Sequence, residues 1–257
     1  MRTRFAPTPS GYLHQGNLAN ALVTDWLAKS YEGECFLRID ADDHSRTRNE
    51  YVEYIDAALD ALGLIFLPSP FARDDRTDYL RSQLVSLPPD QMFGCSCSRT
   101  DLLARPCTCQ AKEIRWEPGT NALRLHLDKD LTIDIEGESI NLRNHFGDVV
   151  LWRRDDIPAY HWANLIDDRD LRITHVVRGT DLLASSALHI YLETLINPSS
   201  TPPRTYLHHQ LLTDAKGHKL SKSTQVNASP PALNLDYLTR VRNSAELFAV
   251  DLGITPA

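Results

Sequence analysis

The sequence predicts an α/β fold in which a parallel sheet is split by an insertion. Two observations carry this. Strand-like and helix-like segments alternate at the start of the chain and again toward its end, the rhythm of parallel strands joined by crossover helices. Between them the pattern switches to short alternating strands beside four clustered cysteines.

Taken in order, residues 3–6 read as a short strand, followed by a proline-rich turn. Leu18, Leu22 and Trp26 then recur at helical spacing. Residues 34–40 read as a second strand, with Cys35 as a core residue inside it. Val52, Ile55, Leu59 and Leu62 mark an amphipathic helix that Gly63 ends. Cysteines cluster from Cys95 to Cys109, and residues 122–127 and 131–135 alternate like antiparallel strands. The parallel rhythm is expected to resume near Val149, with strands at 149–152 and 175–178 and helices at 160–166 and 188–195. A last helix is expected at about 236–248, and neither repeats nor low-complexity segments occur.

Composition narrows the function classes. The 257 residues suffice for one large domain or a domain with an inserted subdomain, and 42% hydrophobic content supports a sizeable core. No apolar run is long enough to span a bilayer, and Met1-Arg2-Thr3-Arg4 lacks the apolar core of a signal peptide. A cytoplasmic protein with no membrane partner is the expectation. A formal net charge of -7 argues against a broad, non-specific nucleic-acid binder. Local basic patches remain compatible with it, and Arg143, Arg153 and Arg154 are one candidate.

Three motifs carry chemistry. The first is Arg4-Phe5-Ala6-Pro7-Thr8-Pro9-Ser10-Gly11-Tyr12-Leu13-His14-Gln15-Gly16-Asn17. Pro7 and Pro9 hold the backbone extended and Gly11 permits a turn. His14 and Gly16 then stand at a helix mouth, where free N–H groups and the positive dipole end suit a phosphate. His14 can donate to an α-phosphate, and Gly16 allows an adenine or ribose close to the backbone. A purely structural proline turn before a helix is the alternative. The second motif, Lys219-Leu220-Ser221-Lys222-Ser223, follows the turn-rich residues 214–218. Its lysines can neutralise charge moving onto pyrophosphate, or they form a solvated basic loop. The third is Cys95-Ser96-Cys97 with Cys107-Thr108-Cys109, four thiols that suit a closed tetrahedral zinc site rather than disulfides. Reduced thiols in a loop are the alternative.

In this order the motifs resemble class I aminoacyl-tRNA synthetases. The first resembles the "HIGH" region, with Gln15 and Asn17 replacing its second and fourth letters; the second resembles the "KMSKS" loop, with Leu220 replacing the methionine. Gly147-Asp148-Val149-Val150-Leu151-Trp152-Arg153-Arg154, Pro158-Ala159-Tyr160, Asp167-Asp168, Thr174-His175-Val176-Val177-Arg178-Gly179 and Asp181-Leu182-Leu183 are similar to the glutamate-specific branch, and within it to its short members. The resemblance covers nearly the whole chain. It implies a Rossmann-like parallel sheet forming a single catalytic unit over 1–257. Its first half would be 1–74, an inserted zinc-binding and acceptor-binding-like subdomain 75–147, and its second half, with the lysine loop and a short tail, 148–257.

The resemblance also implies a reaction. L-glutamate would be activated by ATP with Mg2+ to glutamyl-adenylate, then passed to the queuosine nucleoside of tRNA(Asp). His14, Gly16, Lys219 and Lys222 would be catalytic, and Pro7, Asn17 and Ser221 would join them in binding ATP. Arg4 and Arg178 would contact carboxylate oxygens of glutamate, Thr8 and Tyr160 would add hydroxyls, Ala6 would line the pocket and Asp40 would face the ammonium. Here the usual Arg-Ile-Glu-Asp stretch is Arg38-Ile39-Asp40-Ala41-Asp42-Asp43, so the acid is one methylene shorter. The family's insert often binds a structural zinc through three cysteines and a tyrosine, and a fourth cysteine replaces the tyrosine here. A monomer is expected. The chain leaves no room for a separate anticodon-binding domain after the lysine loop, which favours the short branch. Two rival readings remain: an adenylate-forming ligase charging another acceptor (a tRNA 3′ end, a carrier protein or a small amine), and a catalytically silent tRNA- or nucleotide-binding paralogue.

Overall fold

The computed structural model describes residues 1–40, 47–71, 76–197, 204–213 and 229–256. Lys219, Ser221 and Lys222, the turn-rich residues before them and Ala41-Asp42-Asp43 lie outside the described residues. Along the chain run β1 (Arg2–Phe5), α1 (Gln15–Ser30), β2 (Glu34–Leu37), α2 (Asn49–Leu62), β3 (Leu67–Pro68), α3 (Arg76–Ser82), β4 (Met92–Cys95) and α4 (Arg99–Ala104). There follow β5 (Ala122–Leu125), β6 (Thr132–Ile135), β7 (Glu138–Asn141), α5 (Leu142–Phe146), β8 (Val149–Trp152) and α6 (Tyr160–Asp170). The chain closes with β9 (His175–Gly179), α7 (Leu183–Ile196), β10 (Thr205–His209) and α8 (Leu235–Leu252). Among the described residues, no helix is long and apolar enough to cross a membrane.

The chain forms two compact units. The first comprises Met1–Pro70, Leu171–Leu183 and Arg204–Ala257. In it β1, β2 and β3 pair in parallel, and β9 pairs in parallel with β10. The two ladders begin side by side: the Arg2 N–H donates to Thr174 Oγ1 at 3.0 Å, and the Thr174 N–H to the Arg2 carbonyl at 2.9 Å. The two ladders, β3-β2-β1 and β9-β10, are separate sheets that meet through these bonds, and the order in which the chain adds strands switches side between β1 and β9. In such sheets the crevice for ligands opens at that switch point, outside the carboxyl ends of the strands. The core beneath is built by Leu18, Leu22 and Trp26 of α1, Ile55 and Leu59 of α2, Val177 of β9 and Val241 and Phe248 of α8. Gly63 ends α2 in the left-handed region at φ 70°, where a side chain would be strained. Cys35 is buried in β2 as expected, and burial pushes its thiol up to about 12.

The second unit comprises Phe71–Asp170 and Ala184–Pro203. Here β4, β5 and β8 form an antiparallel sheet, and β6 and β7 a hairpin. The hairpin turns on Glu136 and Gly137, both at positive φ (49° and 80°), which matches the right-handed twist of the strands. Trp152, Trp162, Leu80, Leu125 and Leu151 are fully buried in this unit, and Trp162 Nε1 donates to the Leu80 carbonyl at 2.9 Å. One expectation is corrected. Residues Val149–Trp152, expected to resume the parallel sheet, pair antiparallel with β5. A short buried apolar run reads the same in either kind of sheet, so its periodicity does not reveal its partner.

Candidate active site

The first motif is built at the exit of β1. Pairing with β2 continues past the strand ends: the Arg38 N–H donates to the Phe5 carbonyl at 3.0 Å and the Asp40 N–H to the Pro7 carbonyl at 3.1 Å. Ala6, Pro7 and Thr8 therefore run alongside residues 38–40. Pro7 and Pro9 are buried, and the Ser10 N–H turns back onto the Thr8 carbonyl at 2.9 Å. Tyr12 packs edge-on against Tyr51 and Tyr54, and Leu13 is fully buried. These anchors fix where the next residue, His14, must stand.

His14 is the N-cap of α1. Its backbone is extended (φ -92°, ψ 171°), and its Nδ1 accepts from the Gly16 N–H at 3.1 Å and the Asn17 N–H at 3.3 Å. The His14 N–H donates to Asn17 Oδ1 at 3.2 Å, closing a reciprocal capping box. The consequence is chemical. With the Nδ1 lone pair committed to backbone donors, the neutral imidazole carries its proton on Nε2 and presents a donor at the positive end of a 16-residue helix. Gly16 has a reason for being glycine that the sequence did not give. A Cβ there would sit 3.2 Å from His14 Cε1 and 3.3 Å from its Nδ1. Asn17, expected to touch ATP, is the other half of the cap. Its three-residue spacing from His14 is the signal that could have revealed this.

Two buried guanidiniums stand at neighbouring strand ends. Arg4 and Arg178 are the penultimate residues of β1 and β9, each 5% exposed. Arg178 Cζ lies 4.7 Å from the Tyr206 ring centroid, a cation–π contact. Asp40 is held by Arg38, whose Nε donates to Oδ1 at 2.6 Å and whose Nη2 donates to Oδ2 at 3.3 Å. The Arg38 side chain is buried and that of Asp40 is 10% exposed. The sequence reading missed Arg38, although residues two apart on an extended segment point to the same side. The first unit thus gathers Arg4, Ala6, Pro7, Thr8, His14, Gly16, Asn17, Asp40 and Arg178 at the carboxyl ends of its strands and the mouth of α1. Tyr160 belongs to the second unit, where it opens α6, is 44% exposed and lies against His161.

The second unit carries the cysteines. Sγ of Cys95 and Cys107 are 3.7 Å apart, Cys97 and Cys107 3.8 Å, and Cys97 and Cys109 3.6 Å, with all four sulfurs within 4.8 Å of one another. A Zn–S bond of about 2.3 Å gives tetrahedral edges of about 3.8 Å, so this donor set fits zinc. A disulfide needs sulfurs about 2.05 Å apart, and all four cysteines are free. Gly94 makes the knuckle possible: its N–H donates to the Ile114 carbonyl at 2.7 Å, and a Cβ there would meet the Arg115 carbonyl oxygen at 2.5 Å. Burial raises the Cys97 thiol and pushes Cys107 up to about 12. Burial would raise Cys109 too, but hydrogen bonds from the Ser96 backbone and the neighbouring thiols outweigh it and lower that thiol. The candidate basic patch is engaged locally: Arg143 pairs with Asp148, Arg153 with Asp155 and Arg154 with the Ser96 carbonyl.

The chain matches the family described as tRNA synthetases class I (E and Q), catalytic domain, over residues 1–102 and 95–230. It is 32% identical to the glutamyl-Q tRNA(Asp) synthetase of Verminephrobacter eiseniae, covering 97% of this chain and 90% of that protein. It is 35% identical to that of Burkholderia mallei, covering 92% and 85%. Among solved structures, a glutamate tRNA ligase of Elizabethkingia meningosepticum in complex with its amino acid is 27% identical at a TM-score of 0.70. That match covers 90% of this chain but spans only about half (54%) of the larger ligase. A match that runs through both units, at this identity and over nearly the full length of the relatives, leaves one conclusion: the chain belongs to the glutamyl-Q tRNA(Asp) synthetase family of class I tRNA synthetases.

Proposed function

We propose that this chain activates L-glutamate with ATP and transfers it to the queuosine of tRNA(Asp). The observation that carries the reading is likeness over 97% of the chain to a relative that bears this name. The local chemistry supports it. A glutamate carboxylate oxygen attacks the α-phosphorus, the bond to the bridging oxygen breaks and pyrophosphate leaves. His14 Nε2–H donates to the α-phosphate as charge builds there. ATP enters with Mg2+, and Lys219, Ser221 and Lys222 receive the charge of the departing pyrophosphate. Arg4 and Arg178 bind the carboxylates of glutamate, and Ala6 and Thr8 line the pocket. Asp40, oriented by Arg38, receives the ammonium. In the second step an acceptor hydroxyl attacks the acyl carbon and AMP leaves. Positioning and charge stabilisation do most of this work. Cys95, Cys97, Cys107 and Cys109 would hold a structural zinc that ties the 95–109 segment together and takes no part in the chemistry.

The test has two parts. Glutamate-dependent exchange of labelled pyrophosphate into ATP is expected without tRNA, and labelled glutamate is expected to enter tRNA(Asp) that carries queuosine but not tRNA that lacks it. Absence of exchange with every amino acid tested would refute adenylation. Label on the tRNA 3′ end, or on a protein, would refute the acceptor.

A further inference from the structure

Gln15 replaces the second letter of the motif pattern, and its side chain does something specific. Nε2 donates to Ser244 Oγ at 2.8 Å and to the Arg240 carbonyl at 3.2 Å, both on α8. Ser244 is 5% exposed, and its hydroxyl donates to the same carbonyl at 3.0 Å, closing a triangle. Further along α1, Asn20 meets His209 Nε2 at 3.1 Å, at the end of β10. His209 Nδ1 donates to the Gln210 carbonyl at 2.8 Å, so Nε2 is the acceptor and Asn20 the donor. The His209 ring stacks on Phe248 of α8, with centroids 3.7 Å apart and planes 15° from parallel. Two polar side chains on the first turns of α1 therefore tie it to α8 and β10. These are the described elements on either side of the lysine motif in the chain.

The first turn of a helix has few backbone partners for its amides; here the Asn17 N–H reaches the His14 carbonyl at 2.9 Å, while the Gly16 N–H is held by His14 Nδ1 at 3.1 Å. His14 rides on that turn. We infer that Gln15 is a positioning residue for adenylation, fixing the first turn of α1, and with it the His14 imidazole, against α8. The inference rests on the proposed function, because orientation of that imidazole matters only if it meets a reacting phosphate.

The experiment uses the full chain with Gln15→Met, which keeps length and bulk but removes both donors, and Ser244→Ala, which removes the receiving hydroxyl. Each should lower turnover in glutamate-dependent pyrophosphate exchange by about fivefold to tenfold, the rate equivalent of one hydrogen bond at about 1.4 kcal/mol per tenfold. The KM for ATP should stay within twofold. The double variant should match Gln15→Met alone, because Ser244 acts on the turn through Gln15. Hydrogen exchange at the Gly16 and Asn17 amides should quicken in both single variants. Multiplicative losses in the double variant overturn the inference. So does unchanged exchange at those two amides, or exchange that quickens along the whole of α1 in step with a falling melting temperature. If the unaltered chain catalyses no pyrophosphate exchange, the proposed function fails instead, and the amide measurement still decides whether Gln15 fixes the turn.

Discussion

Replacing Gly16 by alanine separates two roles that the residue could play. The new Cβ would stand 3.2 Å from His14 Cε1 and 3.3 Å from Nδ1, closer than carbon packs comfortably. The imidazole must give by a few tenths of an ångström, and its two bonds to the Gly16 and Asn17 amides, at 3.1 and 3.3 Å, loosen with it. Losing such a cap costs about 1 kcal/mol. Alanine in a helix recovers up to about 1 kcal/mol over glycine. Stability should therefore stay within about 1 kcal/mol, a melting shift of no more than about 4 °C for a chain of this size. Activity has no such offset. Removing one oriented donor to a developing charge costs about 100-fold or more, so a displaced imidazole should lower turnover in pyrophosphate exchange between about tenfold and 100-fold. The KM for ATP should change little. Turnover within twofold of the parent with a raised KM would refute this reasoning and return Gly16 to the simpler role of admitting the nucleotide to the backbone.

Two further outcomes are expected. Purified protein should contain about one zinc per chain, and Cys109→Ser, nearly isosteric but a poor zinc ligand, should contain almost none by elemental analysis; full zinc in that variant would refute the four-sulfur site. Stability should fall as pH drops below about 6.5, the unperturbed histidine value. Burial lowers the pKa of His209, and burial with the nearby N-terminal ammonium lowers that of His175. The unfolded chain then binds more protons than the folded one, so stability is present in full above the unfolded value and is lost on acidification. In urea titrations from pH 7.5 to 5.5, His209→Gln should flatten this dependence; an unchanged slope would contradict a neutral, buried His209.

Local elements were legible because their causes are local. The three- and four-residue recurrence of Val52, Ile55, Leu59 and Leu62, followed by Gly63, gives α2 and its end, and the structure has both. Pairing is a different matter. Nothing in Val149-Val150-Leu151-Trp152 states that its neighbour is β5, because the partner is set by tertiary packing. The same division holds at the candidate site. Residue types at strand ends and at a helix mouth could be read along the chain. That His14 spends Nδ1 on its own helix could have been read from Asn17 three residues on. That Gln15 reaches Ser244 could not, since the contact joins residues 229 positions apart.

The short acid at position 40 follows the same logic. Arg38 and Asp40 lie two residues apart on one extended segment, so their side chains leave the backbone on the same side and the fork closes without bending the chain. A carboxylate gripped in this way is a weaker electrostatic lure for an ammonium than a solitary one, because the guanidinium offsets part of its field. It is also a better-aimed one, because the grip removes rotamer freedom that a ligand would otherwise have to freeze. With Arg4 and Arg178 at the neighbouring strand ends, these four side chains remain net positive. Such a crevice favours a ligand with more carboxylate than ammonium. Glutamate, with two carboxylates and one ammonium, has that balance, and an amino acid with an uncharged side chain does not.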